Sequence, residues 1–569
     1  MKTTYSPFFF LLFSLLLFSL LLFSLLPSYG QSPNCYRITF SDKNDSPYSV
    51  NRPEEFLSAR AIAKRVRFNI PVIEQDLPVN PHYIDSILKF SAVPSQIIAI
   101  SKWNNSVVIF YPETDNCHAI IDAMLNHFSF VIDTLPVAYF KLPFISPVPP
   151  STPQSFNPSI PPSLNPSSCD YDYGNSIDNI HLHKGELLHK AGFCGEGMLI
   201  CVIDAGWNGF DTISYFQPLY ENGQIWGTRD LVPGVNNVYI GHKHGTMVTS
   251  EMVTAIEGKF VGSAPRANYF FIRSENDFPL PNEQLVEEDF FAQAAEIADS
   301  LGADVISVSL CYGAFDYAWQ NIFTPDSNTG MASIASRAAS MLAQKGVIVA
   351  IAAGNMGSND WHYITRPADA KDILAVGMVN KYGVVNSLSS YGPSADGRVK
   401  PDVAAAGDGA WVINEYGKIV QLSGTSCAAP IIAGLSACLW QALPQYSSLE
   451  IMDLIRKYGS RYTNPNYRIG YGIPNFYQCY LDQTYGVQEN VKSEVLVYPN
   501  PTTGELRVES GELKVESVEV FDVYGKRRKG EKELVINISE LEAGVYFVKI
   551  TTEKGVVTKK IIKYSTLNH

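Results

Sequence analysis

Three short segments of this chain place an aspartate, a histidine and a serine where hydrolytic chemistry would use them. They are Val202-Ile203-Asp204-Ala205-Gly206, His244-Gly245-Thr246-Met247-Val248 and Ser423-Gly424-Thr425-Ser426-Cys427-Ala428-Ala429-Pro430. A serine hydroxyl is a weak nucleophile until a neighbouring base takes its proton. Imidazole is such a base, and a buried carboxylate fixes its tautomer and steadies the imidazolium that forms. Ser426 is therefore the candidate nucleophile, His244 the base and Asp204 the orienting carboxylate. Small residues around Ser426 suit a tight helix start that a substrate backbone approaches closely. The unpaired N–H groups of that helix start would face developing negative charge, and Pro430 is expected in its first turn. Alone, Gly-Thr-Ser also reads as a turn with an N-cap, and Asp204 as a strand-end turn residue; the three segments together carry the chemistry. His242 is a second histidine nearby, but only His244 is followed by Gly-Thr, so His242 is read as a loop residue.

The elements that must position these residues alternate between strands and helices. Met198 to Ile203 is a continuous apolar run, as in a strand buried on both faces. Phe291, Ala294, Ala295, Ala298 and Leu301 recur at helical spacing up to Gly302, and Ile334, Ala338, Met341 and Leu342 do so up to Gly346. Val305 to Val308 and Val347 to Ala352 read as the strands that follow, and a helix is expected from Met247 to Ile256. Repeated strand–helix–strand units imply a mostly parallel sheet whose sites lie at the carboxyl ends of its strands. Asp204 and Asn355 both sit just past such an end.

The chain order Asp, His, Ser is the one used by subtilisins, and all three segments resemble that family closely. Ala352-Ala353-Gly354-Asn355 resembles its oxyanion-hole stretch, which implies that the Asn355 amide donates to the tetrahedral intermediate beside the Ser426 N–H, with Gly354 allowing close approach. Ser309-Leu310-Cys311 resembles the strand that pairs with an extended substrate; the family often has glycine where this chain has Cys311, whose larger side chain would narrow the primary pocket. Cys427 is a second thiol beside the site and reads as packing. Ile364 to Ala368 lies where the family builds its pocket wall, with Trp361, His362 and Tyr363 nearby. The resemblance implies an α/β fold: a subtilisin-like, mostly parallel sheet with helices on both faces. It also implies a serine endopeptidase that cleaves proteins or peptides through an acyl-enzyme. Activity would rise between about pH 6 and 7, because a histidine base must be neutral. The alternatives are a catalytically silent protease fold used as a surface or adhesin protein, and a narrow processing protease for exported proteins. No triad residue is lost, and no Gly-x-Ser-x-Gly elbow surrounds Ser426 as a lipase or esterase would require. The chemistry needs no metal or other cofactor, no cysteine or histidine cluster has metal-site spacing, and structural calcium is left unassigned.

Length and composition frame this centre. The 569 residues exceed one core, and 46% apolar residues with 17% charged are those of a globular protein. A net charge of −13 argues against a nucleic-acid partner. Residues 1–30, with Lys2 ahead of the Leu/Phe run Phe8 to Leu26 and small residues at Ser28-Tyr29-Gly30, read as a secretory signal peptide, a membrane anchor being the alternative at that length. Residues 31–145 read as a small α+β domain with a helix starting near Glu55. Ahead of a subtilisin-like domain (173–482) it resembles a propeptide that inhibits the enzyme; an independent binding domain is the alternative. Residues 146–172 are a Pro/Ser-rich linker, readily cut. Residues 488–569 alternate in short strands with turns, as in a small β-sandwich. They resemble the C-terminal sorting domain of type IX secretion, which implies that secretion machinery as a partner and a secreted or cell-surface location; an appended substrate-binding sandwich is the alternative. Of the nine cysteines, Cys35 and Cys117 share the first domain and are candidates to pair, and Cys201 reads as a buried apolar residue.

Overall fold

The structure, a computed structural model, describes residues 32–564 apart from 92, 113–115, 141–168, 235, 277–282, 486–494, 512–513, 524 and 554. The expected signal peptide and the Pro/Ser-rich stretch up to Ser168 lie outside the described residues.

The first unit is an antiparallel sheet in the order β2-β3-β1-β4, with β1 (Cys35–Phe40), β2 (Gln96–Ser101), β3 (Ser106–Phe110) and β4 (Val131–Ala138). Every residue of β3 is buried, which a sheet covered on both faces requires. Val107 and Ile109 face Ile87 and Ile121 of the unit's own helices. Val108 and Phe110 belong instead to the core of the large domain that follows. The helix expected near Glu55 is a 3-10 turn at Pro53–Glu55; α1 (Ala59–Arg67) starts later because the Ser58 hydroxyl caps it, accepting from Ala61 N at 3.1 Å.

The central domain is built on a seven-stranded sheet in the order β13-β12-β11-β10-β5-β9-β6. In chain order these are β5 (Leu199–Asp204), β6 (Ile225–Asp230), β9 (Asn268–Arg273), β10 (Val305–Val308), β11 (Ile348–Ala352), β12 (Leu374–Asn380) and β13 (Val403–Asp408), with the short pair β7 (Ala255–Ile256) and β8 (Phe260–Val261) between them. All the pairings in the large sheet are parallel. A hairpin of β14 (Ala410–Ile413) and β15 (Ile419–Leu422) then leads to the Ser426 segment.

Four helices matter for the site: α2 (His244–Val253), α3 (Glu287–Leu301), α4 (Ile334–Gln344) and α5 (Thr425–Ala442). Gly302 ends α3 in the left-handed region, φ 78°. Helix α2 stops at Val253, short of the expected Ile256. Thr254 turns extended, its carbonyl accepts from Gly262 N at 2.8 Å, and residues 255–256 pair as β7 with β8. Helix α5 is long and apolar enough to cross a membrane, but 89% of that stretch is buried inside the fold, so it is the core helix. Pro430 is its sixth residue, beyond the first turn in which it was expected.

The cysteines are arranged differently from the expected pairing. Cys35 and Cys117 are both buried and not disulfide-bonded, and the disulfide joins Cys169 to Cys194. Cys201 is fully buried in β5, as anticipated. The C-terminal region forms two antiparallel sheets. One orders strands Leu496–Tyr498, Glu505–Glu509 and Val535–Asn537; the other orders Arg527–Glu531, Val515–Asp522, Gly544–Thr552 and Gly555–Lys563. Alternating residues such as Val518, Val520, Val548 and Ile550 fill the core between them.

Candidate active site

Asp204 is the last residue of β5 and Asn355 lies just past β11, at the carboxyl ends of two parallel strands. His244 opens α2, and Ser426 is the second residue of α5. Close backbone approach locks the first two segments together. A Cβ on Gly206, at φ +149°, would stand 2.8 Å from the His242 carbonyl oxygen, and one on Gly245 would stand 2.5 Å from that of Gly206. Neither contact tolerates a side chain, so the glycines flanking Asp204 and His244 hold the strand end and the helix start in register.

The His244 Nδ1–H donates to Asp204 Oδ1 at 2.8 Å, and the same oxygen accepts from Ala205 N at 2.8 Å. Asp204 is fully buried, while the His244 side chain keeps 21% of its surface. A proton held on Nδ1 leaves Nε2 as the basic nitrogen. His242 packs beside this ring with centroids 6.0 Å apart, and its Nδ1 accepts from His244 N at 3.3 Å.

Thr425 and Asn355 form a unit that the sequence reading missed. Asn355 Oδ1 accepts from Thr425 N at 2.9 Å and from Thr425 Oγ1 at 3.1 Å, which turns Nδ2 the other way. A Cβ on Gly424 would stand 2.8 Å from Ser426 Oγ and 3.7 Å from Asn355 Nδ2, so this glycine keeps open a space that the hydroxyl and the amide both border. Gly354 N donates to Thr425 Oγ1 at 3.2 Å. A Cβ on Gly354 would meet Thr365 Oγ1 at 2.5 Å and Ser390 Oγ at 2.9 Å, so packing behind the loop already excludes a side chain there.

Of the expected substrate strand, the Ser309 hydroxyl turns back to donate to the Ser426 carbonyl at 2.8 Å, and Leu310 is buried in the core. Cys311 keeps partial exposure, and burial pushes its thiol up to about 11. Cys427 is wholly buried. Of the pocket-wall stretch, Arg366 is fully buried, bound to Glu288 Oε1 at 2.8 Å and stacked over Phe323 at 4.4 Å. Among the described residues, Glu275, Glu283 and Glu287 bring carboxylate oxygens within 4.8 Å of one another. Burial drives Glu275 and Glu287 well above the ordinary carboxylate range, and Glu275 Oε1 accepts from Tyr312 OH at 2.7 Å.

The first unit lies against α3. Glu296 accepts from Ser101 Oγ at 2.7 Å, Lys102 N at 2.8 Å and Trp103 N at 3.0 Å. Asp289 binds Arg37. Asp76 bridges Arg65 of its own unit and Lys345, each at 2.9 Å, and Arg65 continues to Asp299 at 2.8 Å. Near the end of β4 the Val137 carbonyl accepts from Val286 N at 3.1 Å, and just past it Tyr139 N donates to Gln284 Oε1 at 2.9 Å.

Each of the three regions of the chain resembles a known family. The subtilase family (peptidase S8) matches residues 195–472. The peptidase S8 propeptide domain of Bacteroidota matches residues 35–141, and a secretion system C-terminal sorting domain matches residues 496–564. Subtilisin NAT of Bacillus subtilis subsp. natto is 26% identical over 310 residues, covering 54% of this chain and 71% of that protein. Serine protease AprX of Bacillus subtilis is 26% identical over 288 residues, covering 46% of this chain and 61% of that protein. Among solved structures, MycP1 from Mycobacterium smegmatis is 21% identical with a TM-score of 0.42, covering 56% of this chain and 87% of that one. Residues 195–472 thus form a subtilase domain, and the protein is a subtilisin-like serine endopeptidase with an S8 propeptide domain ahead of the catalytic domain and a type IX secretion sorting domain behind it.

Proposed function

We propose that Ser426, His244 and Asp204 are the catalytic triad and that the enzyme cleaves protein or peptide substrates outside the cell. The observation that carries this reading is the 2.8 Å bond from His244 Nδ1 to buried Asp204, set beside a serine at the start of a buried helix. His244 Nε2 takes the Ser426 proton as Oγ attacks the scissile carbonyl carbon. The Asn355 Nδ2–H and the Ser426 N–H stabilise the resulting oxyanion. His244 then protonates the leaving amine, and water, activated by the same imidazole, releases the acyl group from Ser426. Asp204 stays ionised throughout and pairs with the imidazolium.

The first unit acts as the enzyme's own inhibitor. Its β4 makes contacts with residues 284–286, and in this reading the chain that follows occupies the edge where a substrate strand would pair. Cleavage after that unit frees the cleft, and the sorting domain hands the chain to the type IX machinery for export. No metal takes part in the bond-breaking steps.

A fluorophosphonate probe and casein, applied to the wild type and to Ser426→Ala, test the reading. Loss of the serine costs subtilisin about a millionfold in turnover. The wild type is expected to label at Ser426, digest casein and shed its first unit, and the mutant to do none of these. A wild type freed of its propeptide that neither labels nor cleaves overturns the proposal.

A further inference from the structure

Arg273 is the last residue of β9 and stands in register with Asp204, the last residue of β5. It is 1% exposed. Its Nε–H donates to the Ala205 carbonyl at 3.1 Å, and Nη1 donates to both oxygens of Asp230, at 3.3 and 3.2 Å. Ala205 is thereby held at both ends: its N–H binds Asp204 Oδ1 at 2.8 Å and its carbonyl binds Arg273. The Asp230 side chain is buried to the same degree. Its carboxylate also accepts from Val232 N at 3.1 Å and Asn237 N at 3.0 Å, which shapes the chain on the way to Val238. The Val238 carbonyl in turn accepts from Trp207 N at 2.7 Å, and that of His242 from Asn208 N at 3.2 Å. Phe271, two residues earlier on the same face of β9, stacks on the Trp207 ring at 4.9 Å, and Trp207 Nε1 donates to Thr249 Oγ1 on α2 at 2.9 Å.

We propose, building on the triad reading above, that Arg273 is a positioning residue of the peptidase. Its side chain fastens the turn that follows Asp204 to the chain that brings in His244, and so fixes how the carboxylate meets the imidazole. The turn has no slack to absorb an error. Gly206 packs on the His242 backbone and Gly245 on the Gly206 carbonyl, so a rotation at Ala205 reaches both partners of the His244–Asp204 bond. A buried ion pair adds little net stability over packed apolar side chains; what this one supplies is direction. The planar guanidinium suits that task, because Nε and Nη1 reach separate partners from one rigid group. One partner is the residue after the triad aspartate, and the other organises the approach to the triad histidine.

The test compares kcat, KM, thermal midpoint and fluorophosphonate labelling for the wild type and for variants at positions 273 and 230. Labelling of the wild type at Ser426 is read first; failure there overturns the triad reading and this inference with it. Glutamine places its amide nitrogen where Arg273 has Nε, whereas methionine places a methyl group there. Both lose the cation, so each is combined with Asp230→Asn, which removes the stranded charge. Given labelling, Arg273→Met/Asp230→Asn is expected to lose about 10- to 100-fold in kcat, the scale of a small misplacement, with KM nearly unchanged. Arg273→Gln/Asp230→Asn should recover most of that turnover, although it lacks the ion pair equally. Arg273→Lys keeps a cation for Asp230 but no donor at the Nε position. It should fold with a midpoint near that of the wild type and still lose about tenfold in kcat. Wild-type kcat in Arg273→Lys or in the methionine double variant, an equal loss in the glutamine and methionine double variants, or turnover that simply follows thermal midpoint across the set overturns the proposal and leaves the triad reading standing.

Discussion

The Ser309 hydroxyl donates to the Ser426 carbonyl at 2.8 Å, and Pro430 is the reason that carbonyl needs a donor. In a regular helix the carbonyl of residue 426 accepts from the N–H of residue 430, which proline lacks. An unpaired buried carbonyl costs about 1–3 kcal/mol. Ser309→Ala is therefore expected to destabilise the inhibited enzyme by about that amount, and to lower kcat by loosening the turn that carries the nucleophile. Pro430→Ala restores the helical donor, so Ser309→Ala should cost much less in that background. A thermal-unfolding double-mutant cycle measures the coupling, and additive effects would show that the two residues act separately.

Asn355 and Thr425 make a second pair with separable roles. Asn355→Ala removes the proposed side-chain donor of the oxyanion hole and should lower kcat roughly 10²- to 10³-fold with little change in KM, the loss seen for such a donor in subtilisin. Thr425→Val deletes the hydroxyl's bond to Asn355 Oδ1 and the acceptor it offers Gly354 N, while the Thr425 N–H still holds the Asn355 oxygen at 2.9 Å. Its kcat should fall by about tenfold, the scale of one or two modest hydrogen bonds. A Thr425→Val loss as large as that of Asn355→Ala would mean that the hydroxyl alone orients the amide.

These pairs mark where the sequence stopped being legible. The motifs around Asp204, His244 and Ser426 could be read because their glycines answer local steric demands, such as Gly206 against His242 and Gly245 against Gly206. The buried strands could be read because a sheet covered on both faces leaves unbroken apolar runs such as 199–203. Pro430 was legible as a proline but not as an interior one, since its compensating donor is 121 positions away in the chain at Ser309. The Cys169–Cys194 pairing and the salt bridge of Asp76 with Lys345 are also long-range facts. Arg273 carries no local signal at all: only tertiary packing distinguishes it from a solvent-facing arginine at a strand end.

The disulfide closes a loop of sequence separation 25, and it anchors the start of the catalytic domain just after the expected processing region. Asp172 N also donates to Glu257 Oε1 at 2.7 Å there. Loop-closure entropy gives such a cross-link about 3 kcal/mol. Cys169→Ser with Cys194→Ser should lower the thermal midpoint of the inhibited, processed enzyme and speed its autolysis, while kcat stays close to wild type. An unchanged midpoint would show that the hydrogen bonds alone hold this segment.

Release of the propeptide is expected to depend on pH through two carboxyls that act in opposite directions. Burial alone would push Asp76 up, but Arg65, the Ile73 N–H and Lys345 outweigh it and hold its carboxyl well below the ordinary range. Arg65 and the Ile73 N–H belong to the same unit and stay with Asp76 when it undocks, so the share that docking adds is the Lys345 bond; that share is complete above the undocked carboxyl's value and is lost as the pH falls below it. Glu296 is pushed up by burial despite its donors Ser101, Lys102 N and Trp103 N. The docked state thus binds an extra proton just above the ordinary glutamate range, and docking weakens as the pH rises through the raised value. Docking should be tightest in mild acid and fall off on both sides. Asp76→Asn leaves Lys345 buried without its partner, a loss of about 3 kcal/mol, or roughly a hundredfold faster release. It should also flatten the acid side of the profile, whereas Glu296→Gln should flatten the neutral side. Release of the first unit from the processed full chain, followed by size-exclusion chromatography from pH 2 to 8, reads both effects. A release rate that is the same in Asp76→Asn and wild type at pH 7 would remove Asp76 from propeptide docking.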